Sequence, residues 1–128
     1  MGIREAIYSR LSGFAGLTAL VGTRIYPSRA PQNAVQPFLT YWCTSSIRAS
    51  AFGADTGDVD GRWQIDAWGV NQTSVQAVAE QVRLALQRWR NAADPVVQDT
   101  LIENIFDLDD PAVDTRHAVV ICQIFHKE

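Results

Sequence analysis

Three closely spaced aspartates, Asp55, Asp58 and Asp60, are well placed in the sequence to bind a cation. The stretch 58–61 is similar to part of an EF-hand calcium loop, whose twelfth position supplies a bidentate carboxylate. In that register the twelfth residue here is Ala67, which has no carboxylate. We therefore expect no calcium loop and interpret the group as a solvated acidic segment. The alternative is weak cation binding or contact with a partner.

A second acidic group comprises Asp107, Asp109 and Asp110, directly before Pro111. Short acidic side chains beside a proline are typical of turns, because they bond to their own backbone. Catalysis by paired carboxylates would need a pocket that separates their pKa values, and nothing in the sequence indicates one. We therefore predict a turn here, not a catalytic pair.

The histidines and cysteines lack a metal-binding pattern. His117 and His126 stand nine residues apart in one strand-like run, an odd spacing that places them on opposite faces of a strand. Cys43 and Cys122 lie in separate apolar runs, and no CxxC or HxxxH spacing occurs. We expect no metal and no cofactor, and both cysteines should be buried thiols without a disulfide.

The composition fits one domain and argues against a nucleic-acid groove. The chain has 128 residues, 47% of them hydrophobic, a net charge of -3 and a single lysine, Lys127. A chain of this length buries roughly two thirds of its unfolded surface. A phosphate backbone is bound by clustered Lys and Arg, whereas the arginines here are scattered. Neither a secretory signal nor an apolar run of about 18 residues is visible, so we expect synthesis in the cytoplasm.

The first part of the chain has the pattern of helix and then of an extended connector. Residues 2–13 repeat apolar side chains at helical spacing, and a second apolar turn over 17–21 precedes Gly22, a typical helix stop. Three prolines over 27–37 exclude regular helix and favour an extended connector with few backbone partners.

The rest of the chain has the pattern of four strands and one long helix. The predicted strands are 38–44, 62–70, 97–106 and 117–126. Thr73 and Gln76 form a capping-box pattern that opens the helix. Its apolar stripe runs from Val75 to Trp89, and Asn91 comes after its end. The predicted fold class is α+β, with two helices packed on one face of a mostly antiparallel four-stranded sheet.

The chain is predicted to form a single domain, 1–128, with a flexible loop at 45–61. Small and acidic residues dominate this loop. A loop of this length is usually functional, disordered or the arm of a long hairpin. Its candidate interface residues are Arg48, Phe52, Asp55 and Asp58.

The tryptophans divide between core and surface. Trp63 and Trp89 are in phase with core positions of their elements. Trp68 shares a strand face with Arg62, Gln64 and Asp66, so it is a fifth candidate for an interface, where amphipathic aromatic residues are enriched. Base stacking on these rings would need a basic track, which the sequence lacks.

The chain begins with a predicted helix, followed by Leu20-Val21-Gly22-Thr23-Arg24-Ile25-Tyr26-Pro27, by Pro31, and by Pro37-Phe38 at the start of a strand. This order of features resembles the tail completion or tail terminator family of long-tailed bacteriophages and gene transfer agents. The strand 64–69 leading into a helix is also similar to that family. The resemblance covers nearly the whole chain. It implies a structural virion protein, not an enzyme. The family's subunits form a ring, usually a hexamer, at the neck end of the tail tube, where the ring ends tube growth, meets the head connector and lets DNA pass without specific binding.

Two alternatives belong to other classes. One is a monomeric ferredoxin-like module that binds a small ligand or peptide, which would need a pocket. The other is an enzyme that uses His117 or His126 with one of the aspartates, which would need turnover. No sequence motif supports either of them.

Overall fold

The computed structural model describes residues 2–108 and 115–128. In chain order the elements are α1 (Ile3–Ser12), α2 (Ala15–Val21), β1 (Ile25–Pro27), β2 (Phe38–Ala51), β3 (Ala54–Gly69), α3 (Gln72–Leu86), β4 (Val97–Leu108) and β5 (Arg116–Lys127). No described helix is long and apolar enough to cross a membrane. The α+β class is confirmed.

The sheet has five strands in the order β1-β2-β3-β5-β4. The prediction of two helices and four strands is wrong in its counts, because α2 is a separate helix and β1 pairs in parallel with β2. The sequence pattern assigns part of β1 to an unpaired connector, since prolines are frequent over 27–37. Pro27 is the last residue of this three-residue edge strand, and a proline is tolerated on a sheet edge. All other pairings are antiparallel.

The hydrophobic core lies between the three helices and one face of the sheet, which we call the inner face. Trp63, Ile65 and Ala67 of β3 are buried there, which confirms the core position predicted for Trp63. The helices contribute residues such as Leu11, and α3 contributes the stripe that begins at Val75. None of the described helices packs on the opposite, outer face of the sheet, although Thr40, Asp66 and Val119 on that face are buried.

The prediction of a flexible loop at 45–61 is wrong, because most of these residues lie in strands. These residues are the distal halves of β2 and β3, which run as one long hairpin closed by Phe52 and Gly53. Gly53 adopts a φ of 81°, a left-handed conformation that glycine tolerates without strain. The small and acidic residues misled the prediction, because residues 49–56 form a two-stranded exposed arm that has no need of an apolar alternation.

The helix α3 begins and ends earlier than its pattern suggested. Asn71 is the N-cap residue, and its side-chain oxygen accepts a hydrogen bond from the backbone N–H of Ser74 at 2.8 Å, so the predicted cap at Thr73 is wrong. The helix ends at Leu86. The aromatic ring of Trp89 lies beyond it and is only partly buried against the core.

Asp107 belongs to β4, so it is not part of a turn. Asp109, Asp110 and Pro111, which complete the predicted acidic turn, lie outside the described residues.

Candidate functional site

The β2–β3 hairpin carries all five candidate interface residues, but it separates them. Arg48, Phe52, Asp55 and Asp58 lie on its distal half, whereas Trp68 lies at its base, paired with Phe38 in register. The stretch of β2 from Thr40 to Phe52 spans roughly 40 Å at about 3.3 Å per residue. The sequence-predicted residues therefore form two surfaces rather than one.

Two of the distal residues are engaged within the chain. Arg48 donates two hydrogen bonds to the carboxylate of Glu128, at 2.8 and 2.5 Å, and the Nζ of Lys127 lies 2.5 Å from Asp58. These hydrogen bonds hold the pKa values of Asp58 and Glu128 below their ordinary range. At neutral pH these contacts attach the end of β5 to both β2 and β3. The contacts weaken as the pH falls through the lowered pKa values of Asp58 and Glu128.

The hairpin tip extends beyond these contacts. The last pair between β3 and β5 is Asp58 with Lys127, and Gly57 accepts a backbone hydrogen bond from Glu128, so within the described chain residues 49–56 have only each other as strand partners. Thr56 Oγ1 donates to the carbonyl of Ala49 across the arm at 2.9 Å. Phe52 is fully exposed, and no described residue forms an ion pair with Asp55. Of the four distal candidates, these two are free to meet a partner.

Four rings from four adjacent strands stack across the outer face at the hairpin base. Tyr26 meets Phe38 edge to face at 6.0 Å between ring centroids, and Phe38 stacks on Trp68 at 6.2 Å. Trp68 in turn stacks on His117 at 3.7 Å with an interplanar angle of 12°. The indole N–H of Trp68 donates to Thr40 Oγ1 at 3.1 Å. The two stacked rings and this hydrogen bond therefore hold the indole of Trp68 in place.

An open cavity of about 310 Å³ adjoins these rings. We call it the aromatic groove; it is lined by Ser28, Arg29, Ala30, Phe38, Thr40, Trp42 and Trp68. The connector after β1 forms one wall, and Gln36 fastens that connector to Thr115 through a hydrogen bond of 3.1 Å. The volume lies at the small end of the range for ligand pockets, roughly 300–1,000 Å³.

A buried carboxylate supports the aromatic groove from below. Asp66 is fully buried, although its strand position faces away from the core. Its Oδ1 accepts a hydrogen bond from Gln64 at 3.0 Å and lies 3.1 Å from His117 Nε2. His117 Nε2 makes no hydrogen bond among the described residues, and its contact with Asp66 is an ion pair only when the imidazole is protonated. Asp66 thus helps to place the ring that stacks on Trp68.

The residues considered for metal binding or catalysis do not converge. His117 lies on the outer face and His126 on the inner face of β5, as the spacing predicted. Within residues 2–108 and 115–128, no three His, Cys, Asp or Glu side chains are grouped to hold a metal ion. Both cysteines are free, and burial raises the pKa of the Cys122 thiol to about 12. This thiol therefore stays neutral and unreactive.

The other edge of the sheet also exposes apolar side chains. On β4, Ile105, Phe106 and Leu108 are each more than a third exposed. The sequence prediction gave no weight to this edge. An edge strand with exposed apolar residues is prone to pair with another chain unless a partner covers it.

Comparison with known proteins decides the family. The model of the family described as tail completion protein gp17 matches residues 5–127. The chain belongs to this family. It is a structural protein of phage-type virions, as the sequence resemblance indicated. No curated protein matches the chain.

Solved structures support the same fold for this tail completion protein. It is similar to a chain in the virion of a native gene transfer agent particle, with a TM-score of 0.75 and 18% identity over 95% of this chain and 92% of that one. It also resembles the gp17 protein of bacteriophage SPP1, with a TM-score of 0.54 and 13% identity over 98% and 88% of the two chains. At these identities the likeness concerns the fold alone.

Sequence reasoning missed three members of the candidate site in this tail completion protein. The pattern of prolines places Arg29 in an extended connector, and the predicted strand 38–44 contains Phe38 and Trp42 without marking either as an interface residue. One signal could have identified them: Phe38, Thr40 and Trp42 alternate on the strand face that also carries Trp68 in the next strand.

Proposed function

We propose that this protein forms a closed ring, a hexamer, at the head-proximal end of the tail tube. There it ends tube polymerisation and joins the tail to the head connector. The observation that carries this proposal is the family match, which extends over residues 5–127.

The exposed surfaces of the subunit suit repeated assembly. A projecting hairpin tip, the aromatic groove and the apolar edge of β4 occupy different places on the fold. Contacts between unlike surfaces build rings when the rotation between subunits closes, and a closed ring protects its sheet edges. The two sides of such a ring are chemically different. One side binds the tube protein. The other side does not bind a further tube subunit and binds the head connector instead.

The charge of the subunit is compatible with DNA passing through the ring. The net charge is -3, and the basic side chains are scattered along the chain. A channel with an acidic balance repels phosphates, so the genome slides through without specific binding. The protein would be made in the cytoplasm of the bacterial host and would end up at the neck of the tail, in a phage or in a gene transfer agent.

Particles produced without this protein test the proposal. Electron microscopy of negatively stained lysates should show tails of uncontrolled length and heads without tails, and the wild-type chain supplied in trans should restore uniform particles. Normal particles in the absence of the protein would refute the proposal. A variant that lacks residues 50–57, supplied in the same way, tests the hairpin separately, since tails of normal length would show that the tip has no part in capping.

A further inference from the structure

Two surfaces without an internal partner lie at opposite ends of the hairpin. At the tip, Phe52 is fully exposed and Asp55 carries an unpaired charge among the described residues. At the base, the aromatic groove is open, and Arg29 stands at its rim. Within the described part of the chain, the guanidinium of Arg29 has no ion pair, hydrogen bond or ring contact. Each surface therefore combines an apolar element with one charged side chain, and the charges of the two surfaces are opposite in sign.

The two surfaces cannot meet within one molecule. They are roughly 40 Å apart along the same pair of strands, at about 3.3 Å per residue. The pairing of β2 with β3 from base to tip, and of β3 with β5 as far as Asp58, keeps the hairpin extended between the two surfaces. If they are complementary, the contact must form between two copies of the chain.

We infer that the Phe52 ring of one copy docks in the aromatic groove of a second copy, with Asp55 of the first facing Arg29 of the second. The inference rests on the proposed ring function and names its subunit contact. An aromatic anchor in an apolar pocket is the usual centre of a protein interface, and an ion pair at the rim fixes its orientation. The groove volume of about 310 Å³ suits a side-chain anchor.

This contact has a definite consequence for assembly. Two copies joined by one such contact still have one tip and one groove free and can add further copies until a ring closes. Two copies that exchange tips reciprocally would stop at a two-fold dimer. The proposed ring function requires the first arrangement, in which the tip and the groove of each copy engage different neighbours.

Photo-crosslinking maps the contact directly. The purified full chain with Phe52→p-benzoylphenylalanine, mixed with isotopically labelled wild-type chain at about 1 mM, a concentration at which even weak contacts are populated, is irradiated and digested. We expect crosslinks between copies to peptides that contain residues 28–42 or Trp68. Crosslinks to another surface of the second copy, or none between copies, would overturn the inference. Either result would leave the proposed function standing, because tail length decides that function separately.

A mixing experiment tests the contact between tip and groove, and the size of the wild-type assembly tests the geometry. Wild type should form species larger than a dimer, and a wild-type protein that stops at a dimer would contradict the head-to-tail arrangement. Phe52→Ala removes the tip anchor, and Ala30→Trp fills the groove. Each variant alone should self-associate at least tenfold more weakly than wild type in sedimentation equilibrium, the loss typical of a central anchor. Their equimolar mixture should form 1:1 dimers and nothing larger, because only one intact tip and one intact groove meet. Leu84→Ala, at an exposed position on α3, is the matched control and should assemble like wild type.

Charge exchange checks the ion pair with variants at exposed positions. Arg29→Asp and Asp55→Arg should each weaken association several-fold, whereas the double variant should recover most of the wild-type association constant. Both residues are exposed, so the melting temperature should not change. A mixture that stays monomeric, or a double variant no better than the weaker single variant, would overturn the proposed contact.

Discussion

Asp66 gives the sharpest test of how the outer face is built. Its carboxylate is fully buried, accepts a hydrogen bond from Gln64 at 3.0 Å and lies 3.1 Å from His117 Nε2. Asp60 on the same strand is a matched comparison, because its carboxylate accepts hydrogen bonds from Gln123 at 2.9 and 3.0 Å but is partly open to water. The two residues differ mainly in burial.

The expected effects come from that difference. A net hydrogen bond to a charged group contributes about 1.5–3 kcal/mol, and a buried group left without a partner adds a desolvation penalty. Asp66→Ala removes the acceptor of Gln64 and the electrostatic partner of His117, so the free energy of unfolding should fall by about 2–4 kcal/mol. For Asp60→Ala, water replaces the lost partner, and the loss should be about 0.5–1 kcal/mol.

Urea denaturation monitored by tryptophan fluorescence measures both variants. If the free energy of unfolding falls with urea concentration at the same slope in every variant, a shift of the midpoint measures a change in stability. Asp66→Asn, which keeps one acceptor oxygen, should recover part of the loss. If Asp66→Ala and Asp60→Ala differ by less than about 0.5 kcal/mol, the argument that burial makes Asp66 a supporting residue of the groove is refuted.

Three further predictions concern the helix cap, the buried thiol and the core. Asn71→Ala should lower the free energy of unfolding by about 1 kcal/mol, while Thr73→Ala should change it much less; equal losses in a urea titration would contradict the assigned cap. Because folding raises the pKa of Cys122 from 9.0 to about 12, the thiol ionises first in the unfolded chain. Stability should therefore fall as the pH rises from about 9 towards 12, by up to about 1.4 kcal/mol per pH unit, and Cys122→Val should remove this component; parallel pH profiles of the two proteins would exclude it. Ile65→Ala, in the centre of the core, should cost about 2–5 kcal/mol in a thermal or urea melt, and a loss below about 1 kcal/mol would show that the core is misassigned.

The helices and core strands are predictable from the sequence because their side chains must meet one core. The stripe that begins at Val75 and the alternation of Trp63, Ile65 and Ala67 both arise from burial, and burial leaves a periodic pattern. The distal hairpin is not predictable in this way. Over residues 49–56 every residue is exposed, so Ser, Gly and Asp suffice, and a composition typical of loops concealed the hairpin.

The candidate site is predictable only in part. The phase of Trp68 assigns it to the outer face, which is correct, and Phe52 and Asp55 are identifiable as candidates although their position at a hairpin tip is not. The burial of Asp66 is not predictable, because it depends on packing with residues distant in sequence. His117 stacks on Trp68 across a strand pair, and a register of this kind is fixed by the whole sheet.

Tube assembly in vitro shows whether this protein caps one end of the tail tube. Purified tube protein is polymerised, gold-labelled chain is added, and fresh tube protein is then supplied, with tube length measured by electron microscopy. The account predicts label at a single end of each tube and no growth from that end, while unlabelled tubes continue to lengthen. Label spread along the tubes, or growth from labelled ends, would contradict it.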